Sequence, residues 1–383
     1  MTTSQKNAVL ETLVKLLKAN EQNILSANQR DVSACVDASE SMLDRLKVNE
    51  SKISGMIGAL NEVIALPDPE GKILHSHSPL SGLKIENRTV PFGKILIIYE
   101  SRPDVTIEAT ALAFKAGNKV LLKGGKEAKG TNLFLVELWQ QALIANNLPK
   151  DIINYLDFSR EETQDLIKNN SQKVDLIIPR GGPGLINFVT ENTTVPVIVS
   201  GRGNNFLYID SEADFEMAIR IVINGKQRIS VCNALDKVLI HKDISQEKVD
   251  KLIADLKANN IEVLENKNGE NEELLGQEFL AAKILLSRVE NTAEAIEMIN
   301  KYSGGHSASI VTRNKETAEK FQNEVDCAAV YHNASTRFTD GGQFGYGAEI
   351  AISTQKLHSR GPIGINQLVT NKWFIYGNGQ TRT

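Results

Sequence analysis

Cys232 lies in the run Arg228-Ile-Ser-Val-Cys-Asn-Ala234 and is the residue whose type most invites covalent chemistry. A thiolate is a strong nucleophile. Lys226, Arg228 and a following helix or turn N-terminus would hold a thiol here in its anionic form. The plainer reading is a small buried hydrophobe, the commoner fate of a lone cysteine, although Ser, Asn and Ala neighbours do not make a core run. Cys35 and Cys327 fall in a helix and at a strand start and read as structural. Gly124-Gly125 joins a strand to a helix, a turn that can aim backbone N–H groups and a helix dipole at a phosphate. Lys123 and Lys126 flank it and would favour a dinucleotide carrying a 2′-phosphate; a tight turn with two solvated lysines is the equal alternative. Arg180-Gly-Gly-Pro-Gly184 follows another strand, the edge where α/β sheets take ligands, or is a flexible loop. The polar stretch Asn333–Gly342, with one cation and several hydroxyls, suits a small carboxylate or is a surface loop. His75 and His77 read as solvated loop residues, so no metal site is expected, and His306 reads as part of a turn.

These residues need a scaffold, and the apolar pattern supplies one. Residues 1–66 read as helices, ended by Pro67 and Pro69. Residues 70–93 read as a β-hairpin, with alternation over Gly82–Val90. Strands are then expected at Lys94–Tyr99, Lys119–Lys123, Ile152–Leu156, Val174–Ile178 and Val195–Val199. Helices alternate with them, one opening on the Ser159/Glu162 capping box. A second set of strands is expected at Lys237–His241, Ile261–Leu264, Ala282–Leu286, Ala308–Thr312 and Ala328–Tyr331. This alternation means parallel, helix-covered sheets. The boundary between the two sets is expected near residue 224, close to Cys232.

Composition narrows the class. The chain has 383 residues, 41% hydrophobic and 23% charged, as in ordinary globular domains. Its net charge of −4 argues against a nucleic-acid protein driven by bulk charge. Three dispersed cysteines argue against a disulfide framework and for a reducing, cytoplasmic setting. No apolar run approaches the roughly 20 residues of a membrane helix.

Taken together, several segments resemble the γ-glutamyl phosphate reductase family, a branch of the aldehyde dehydrogenase superfamily. The resemblance rests on Val90-Pro-Phe-Gly93, Tyr99–Thr106, Ala116-Gly-Asn118, Lys123–Ala128, Asp175–Gly182, Val231-Cys-Asn-Ala234, Gly304-Gly-His306, Asn333–Gly342 and Gly345–Thr354. It implies an aldehyde-dehydrogenase-like α/β fold with two parallel-sheet domains and a small β-hairpin oligomerisation element. It divides the chain into an NADP(H)-binding domain (1–223, hairpin about 80–92), a catalytic domain (224–355) and a returning segment (356–383), the tail around Lys372–Gly379 joining the hairpin. It implies a homo-oligomeric glutamate-5-semialdehyde dehydrogenase that reduces L-glutamyl 5-phosphate with NADPH in proline biosynthesis, fed by glutamate 5-kinase.

Carried over residue by residue, the resemblance makes Cys232 the nucleophile and puts Ser101 at an oxyanion-hole position. Lys123, Gly124, Gly125, Lys126 and Glu278 would hold the cofactor, Glu278 at the nicotinamide ribose. Arg337, with Ser335 and Thr336, would hold the substrate's α-carboxylate, and Arg102 or Arg180 its phosphate. Two departures flank the expected active site: Lys226-Gln-Arg-Ile229 is a residue short and lacks a proline, and Phe206 replaces a histidine. An acylating dehydrogenase for another substrate and a non-catalytic binding protein are the competing readings.

Overall fold

The computed structural model describes residues 1–36, 39–229, 231–267 and 269–382, with only the backbone of Glu40 and Ser41. The chain divides into two compact units. The first comprises Met1–Val199, Tyr346–Ala351 and Ile363–Thr383; the second comprises Ser200–Gly345 and Ile352–Pro362.

In the first unit a parallel sheet runs in the order Ile153–Tyr155, Lys119–Lys123, Lys94–Tyr99, Leu176–Arg180. Its two central strands, Lys119–Lys123 and Lys94–Tyr99, carry apolar runs because both faces are covered. Ile95, Ile97 and Tyr99 pack with the helices Thr3–Ala19, Glu50–Ala65, Val105–Lys115 and Lys129–Ala145. The alternate residues Leu96 and Ile98 pack with Leu166, Ile167 and Val189 of the helices Arg160–Asn169 and Pro183–Asn192. The Ser159/Glu162 capping box forms as the spacing predicts. The expected strand at Val195–Val199 does not: only Val197 makes an isolated bridge, to Ile177. A separate antiparallel sheet joins Ile73–His77, Lys84–Pro91 and Val369–Tyr376, so the hairpin and the C-terminal tail do meet.

The second unit holds a six-stranded parallel sheet in the order Ala329–His332, Ser307–Val311, Asn205–Ile209, Leu235–His241, Lys283–Val289, Glu262–Asn266. The helices Phe215–Lys226 and Gln246–Ala258 bury one face, and Thr292–Tyr302 and Lys315–Glu324 the other. The central strand Asn205–Ile209 was not expected. It pairs with Leu235–His241 on one side and Ser307–Val311 on the other. That pairing moves the division between units from the expected residue 224 to Val199/Ser200, and it places the whole Cys232 segment inside the second unit. The return to the first unit begins at Tyr346, is interrupted, and resumes at Ile363 rather than at 356.

Candidate active site

Cys232 sits on the turn that enters the strand Leu235–His241, where the Ala234 N–H donates to the Val231 carbonyl. It is exposed, unlike Cys327, whose thiol is buried and pushed up to about 11 by that burial. The buried-hydrophobe reading therefore fits Cys327 and not Cys232.

Three neighbours fix the turn. Asn205, fully buried at the start of its strand, donates from Nδ2 to the carbonyls of Cys232 and Ala234, both at 2.7 Å. Gly203 packs directly against the cysteine backbone, and a Cβ there would lie 2.2 Å from the Cys232 oxygen. Its N–H donates to Glu278 Oε1 at 3.1 Å. Glu278, whose carboxyl is raised by burial, thus stands one residue contact from the cysteine.

Asn233 forms the third hold. Its Nδ2 donates to the carbonyls of Arg337 (3.2 Å) and Thr339 (3.0 Å), and its Oδ1 accepts from Arg337 Nη1. The Thr336 hydroxyl donates to the Asn233 carbonyl at 2.9 Å, and Ser335 Oγ accepts from the Arg337 N–H. Ser335 and Thr336 are both buried: Ser335 Oγ caps the short helical turn that carries Arg337, and the Thr336 hydroxyl ties that turn to Asn233. Arg337 is half-buried. Burial and Arg228 lower its affinity for a proton, while Asp340 and the Cys232 sulfur favour its charge.

Lys226 corrects the sequence reading. Its ammonium is fully buried against Asp236 and is not the cation that serves the thiol. Removing one partner of such a pair costs about 3–5 kcal/mol. Phe206 also finds a plain role: it is buried in the core with Leu239 and Ala308. Behind the Arg337 turn, hydroxyls link His306 Nδ1 to Ser307 (2.8 Å), Ser307 to Thr339 (2.7 Å) and Tyr331 to Thr339 (2.7 Å).

The remaining candidates belong to the first unit. Gly124 ends the strand Lys119–Lys123, and a Cβ on it would strike Asn132 Nδ2 at 2.2 Å. Gly125 caps the short turn Lys126–Ala128, which precedes the helix Lys129–Ala145. Lys123, its pKa lowered by burial, donates to the Gly124 carbonyl at 2.7 Å, whereas Lys126 is exposed. Ser101 is nearly buried at φ 42°, and both its N–H and its hydroxyl donate to Glu127 Oε1 (2.9 and 2.7 Å). Its hydroxyl proton is therefore directed at a carboxylate rather than left free for an oxyanion. Glu108 is pushed up to about 7 by burial first and Asp104 second, with the charges of Arg180 and Arg102 opposing the rise. The N–H of Gly182, the N-cap of Pro183–Asn192, donates to Glu100 at 3.0 Å, so this helix end already holds an anion.

Asn205, Gly203, Asn233 and Glu127 were not singled out from the sequence. Asn233 and Glu127 lie within the segments Val231–Ala234 and Lys123–Ala128 that carry the resemblance, and Gly203 and Asn205 show only as two asparagines between a glycine and an apolar run at Gly203–Tyr208. Among the described residues no group of three or more His, Cys, Asp or Glu could hold a metal, and no helix is long and apolar enough to cross a membrane.

Comparison with known proteins places this arrangement. Residues 1–270 and 263–348 match the model of the aldehyde dehydrogenase family. A gamma-glutamyl phosphate reductase of Nitratiruptor sp. is 46% identical, covering 99% of this chain and 95% of its own length. One from Clostridium botulinum is 43% identical, covering 100% and 95%. The crystal structure of gamma-glutamyl phosphate reductase from Thermotoga maritima superposes with a TM-score of 0.96 at 41% identity, covering 100% of this chain and 95% of that one. The chain belongs to the aldehyde dehydrogenase family and, within it, to the gamma-glutamyl phosphate reductase branch.

Proposed function

We propose that this chain reduces L-glutamyl 5-phosphate to L-glutamate 5-semialdehyde, with release of phosphate, using NADPH in proline biosynthesis. The observation that carries the reading is the exposed Cys232 on a turn clamped by Asn205, Gly203 and Asn233, with Arg337 joined to the same turn.

The Cys232 thiolate attacks the γ-carbonyl carbon. The C–O bond to phosphate breaks, phosphate leaves with the electron pair, and a thioester to Cys232 remains. Arg337 holds the α-carboxylate, so that the γ-carbonyl meets the sulfur. Bound NADPH supplies the hydride that reduces the acyl group to the aldehyde level. Breakage of the C–S bond then restores the thiolate and frees the aldehyde. The substrate brings its own leaving group, so the cycle needs no residue that activates water.

The residues present fit the cofactor. Lys126 offers an exposed cation beside the strand-to-helix turn of Gly124 and Gly125, where Gly124 packs too closely on Asn132 to carry a side chain. Lys123 and Lys126 would hold the adenosine ribose and its 2′-phosphate, and Glu278 the nicotinamide ribose. Arg102 and Arg180 are the cations proposed for the acyl phosphate. The sheet carrying Trp373, Ile375, Ile73 and Leu74 exposes apolar side chains, which supports self-association there. The labile acyl phosphate has to come from a kinase acting on the γ-carboxylate of glutamate.

The test runs the reaction backwards. Glutamate semialdehyde should reduce NADP⁺ beyond a single turnover only with phosphate or arsenate present, and Cys232→Ser should abolish this. Activity that requires coenzyme A instead of phosphate would favour an acylating dehydrogenase.

A further inference from the structure

Glu278 lies in a segment that has no regular secondary structure of its own. It follows the short helical turn Glu272–Gly276 and leaves through Leu280 at φ 46°, a conformation costly for a residue with a side chain. Local propensity therefore does not hold Glu278 in place. Two consecutive residues of the strand Leu235–His241 do. Asp236 Oδ2 accepts from the Phe279 N–H at 2.8 Å, immediately after Glu278. Lys237 Nζ donates to the Gln277 carbonyl at 2.8 Å, immediately before it. The Lys237 ammonium also lies 3.6 Å from the centroid of the Phe279 ring, a cation–π contact that closes the grip. Asp236 is itself fixed by the buried Lys226.

We infer that Asp236 and Lys237 are positioning residues that clamp the backbone on either side of Glu278 and so set how tightly this protein binds its nicotinamide cofactor. The inference rests on the reading of Glu278 as the ribose ligand.

A fully buried lysine is a costly choice for a merely structural task. Burial pushes Lys237 down to about 7, with Asp236 and Glu278 supporting its charge and Lys226 and Arg202 opposing it. A methionine would fill the same space without the desolvation cost. What methionine lacks is the donor that reaches Gln277 and the charge that seats on Phe279. Removing them leaves the buried strand filled but the segment around Glu278 free to move.

The test compares Lys237→Met, Glu278→Gln and the double variant. The readouts are equilibrium NADPH binding by fluorescence, KM for each substrate, melting temperature and the rate of Cys232 alkylation by iodoacetamide. Each single variant should weaken NADPH binding about tenfold, with KM for the semialdehyde and the alkylation rate unchanged. The double variant should be no weaker than Glu278→Gln alone, because both act through one carboxylate. If Glu278→Gln weakens NADPH binding and Lys237→Met does not, the positioning role is wrong. If the two effects multiply, or if Lys237→Met raises both KM values together as the melting temperature falls, Lys237 is structural only. If Glu278→Gln itself leaves NADPH binding intact, the ribose reading fails, and the inference with it.

Discussion

Gly203 and Cys232 are in backbone contact: a methyl group on Gly203 would sit 2.6 Å from the Cys232 Cα. The same glycine donates its N–H to Glu278. One small residue thus touches both the proposed nucleophile and the proposed cofactor ligand.

Gly203→Ala follows from that contact. The added methyl has only backbone to push against, so the Cys232 turn must move. Overpacking of this kind costs about 1–3 kcal/mol. The variant should still fold, with a lower melting temperature and at least a roughly tenfold lower kcat per folded molecule. A variant with unchanged kcat would show that the turn tolerates displacement.

Arg337 is expected to act on substrate and not on cofactor. Arg337→Ala should raise KM for the acyl phosphate, or for the semialdehyde in reverse, on the order of a hundredfold. KM for NADPH should stay put. An equal rise in both would count against carboxylate recognition and point to collapse of the Asn233 contacts.

Much of this arrangement was open to sequence reasoning because its physics is local. Lys94–Tyr99 and Lys119–Lys123 match the expected strands to the residue, since a strand covered on both faces is an uninterrupted apolar run. Asn205–Ile209 is equally apolar, but its approach through Gly203-Asn-Asn reads as loop. Asn205 is buried because strand pairing brings the Cys232 turn to it, and Asn204 because its amide reaches the carbonyls of Leu275 and Tyr302, neither of which a local pattern reports. Sequence proximity alone offers Lys226 as a cation for the thiol. The strand register gives it to Asp236 and leaves Arg337, remote in sequence, to share charge with Cys232. Ser101 was placed by resemblance, and the carboxylate that takes its hydroxyl proton, Glu127, arrives only when the strand and turn come together.

Lys126 should govern the choice between NADPH and NADH. Lys126→Glu puts a negative charge where the 2′-phosphate is proposed to lie. The ratio of kcat/KM for NADPH to that for NADH should fall by roughly tenfold or more. An unchanged ratio would move the phosphate site elsewhere.

His306 gives a pH signature of folding. Burial holds its imidazole down at about 4 against an ordinary value of 6.5, and Nε2 has no partner among the described residues. On acidification the unfolded chain takes up this proton near pH 6.5 and the folded chain only near pH 4. The unfolded state binds more protons throughout that window, so stability falls as pH is lowered through it. The loss reaches about 3 kcal/mol at the acid end. Denaturation at pH 7 and pH 4.5 should show a larger loss for the native chain than for His306→Asn; parallel losses would contradict the buried neutral imidazole.

Acyl transfer to Cys232 is read directly by a burst experiment with phosphate withheld. Semialdehyde and NADP⁺ are mixed with the enzyme, NADPH formation is followed, and the quenched protein is weighed intact and after digestion. A Cys232 thioester gives one NADPH per active site, then a halt, with a glutamyl mass on the peptide containing Cys232 and turnover restored by added phosphate. A full burst in Cys232→Ser, or an acyl group found on another residue, would contradict it.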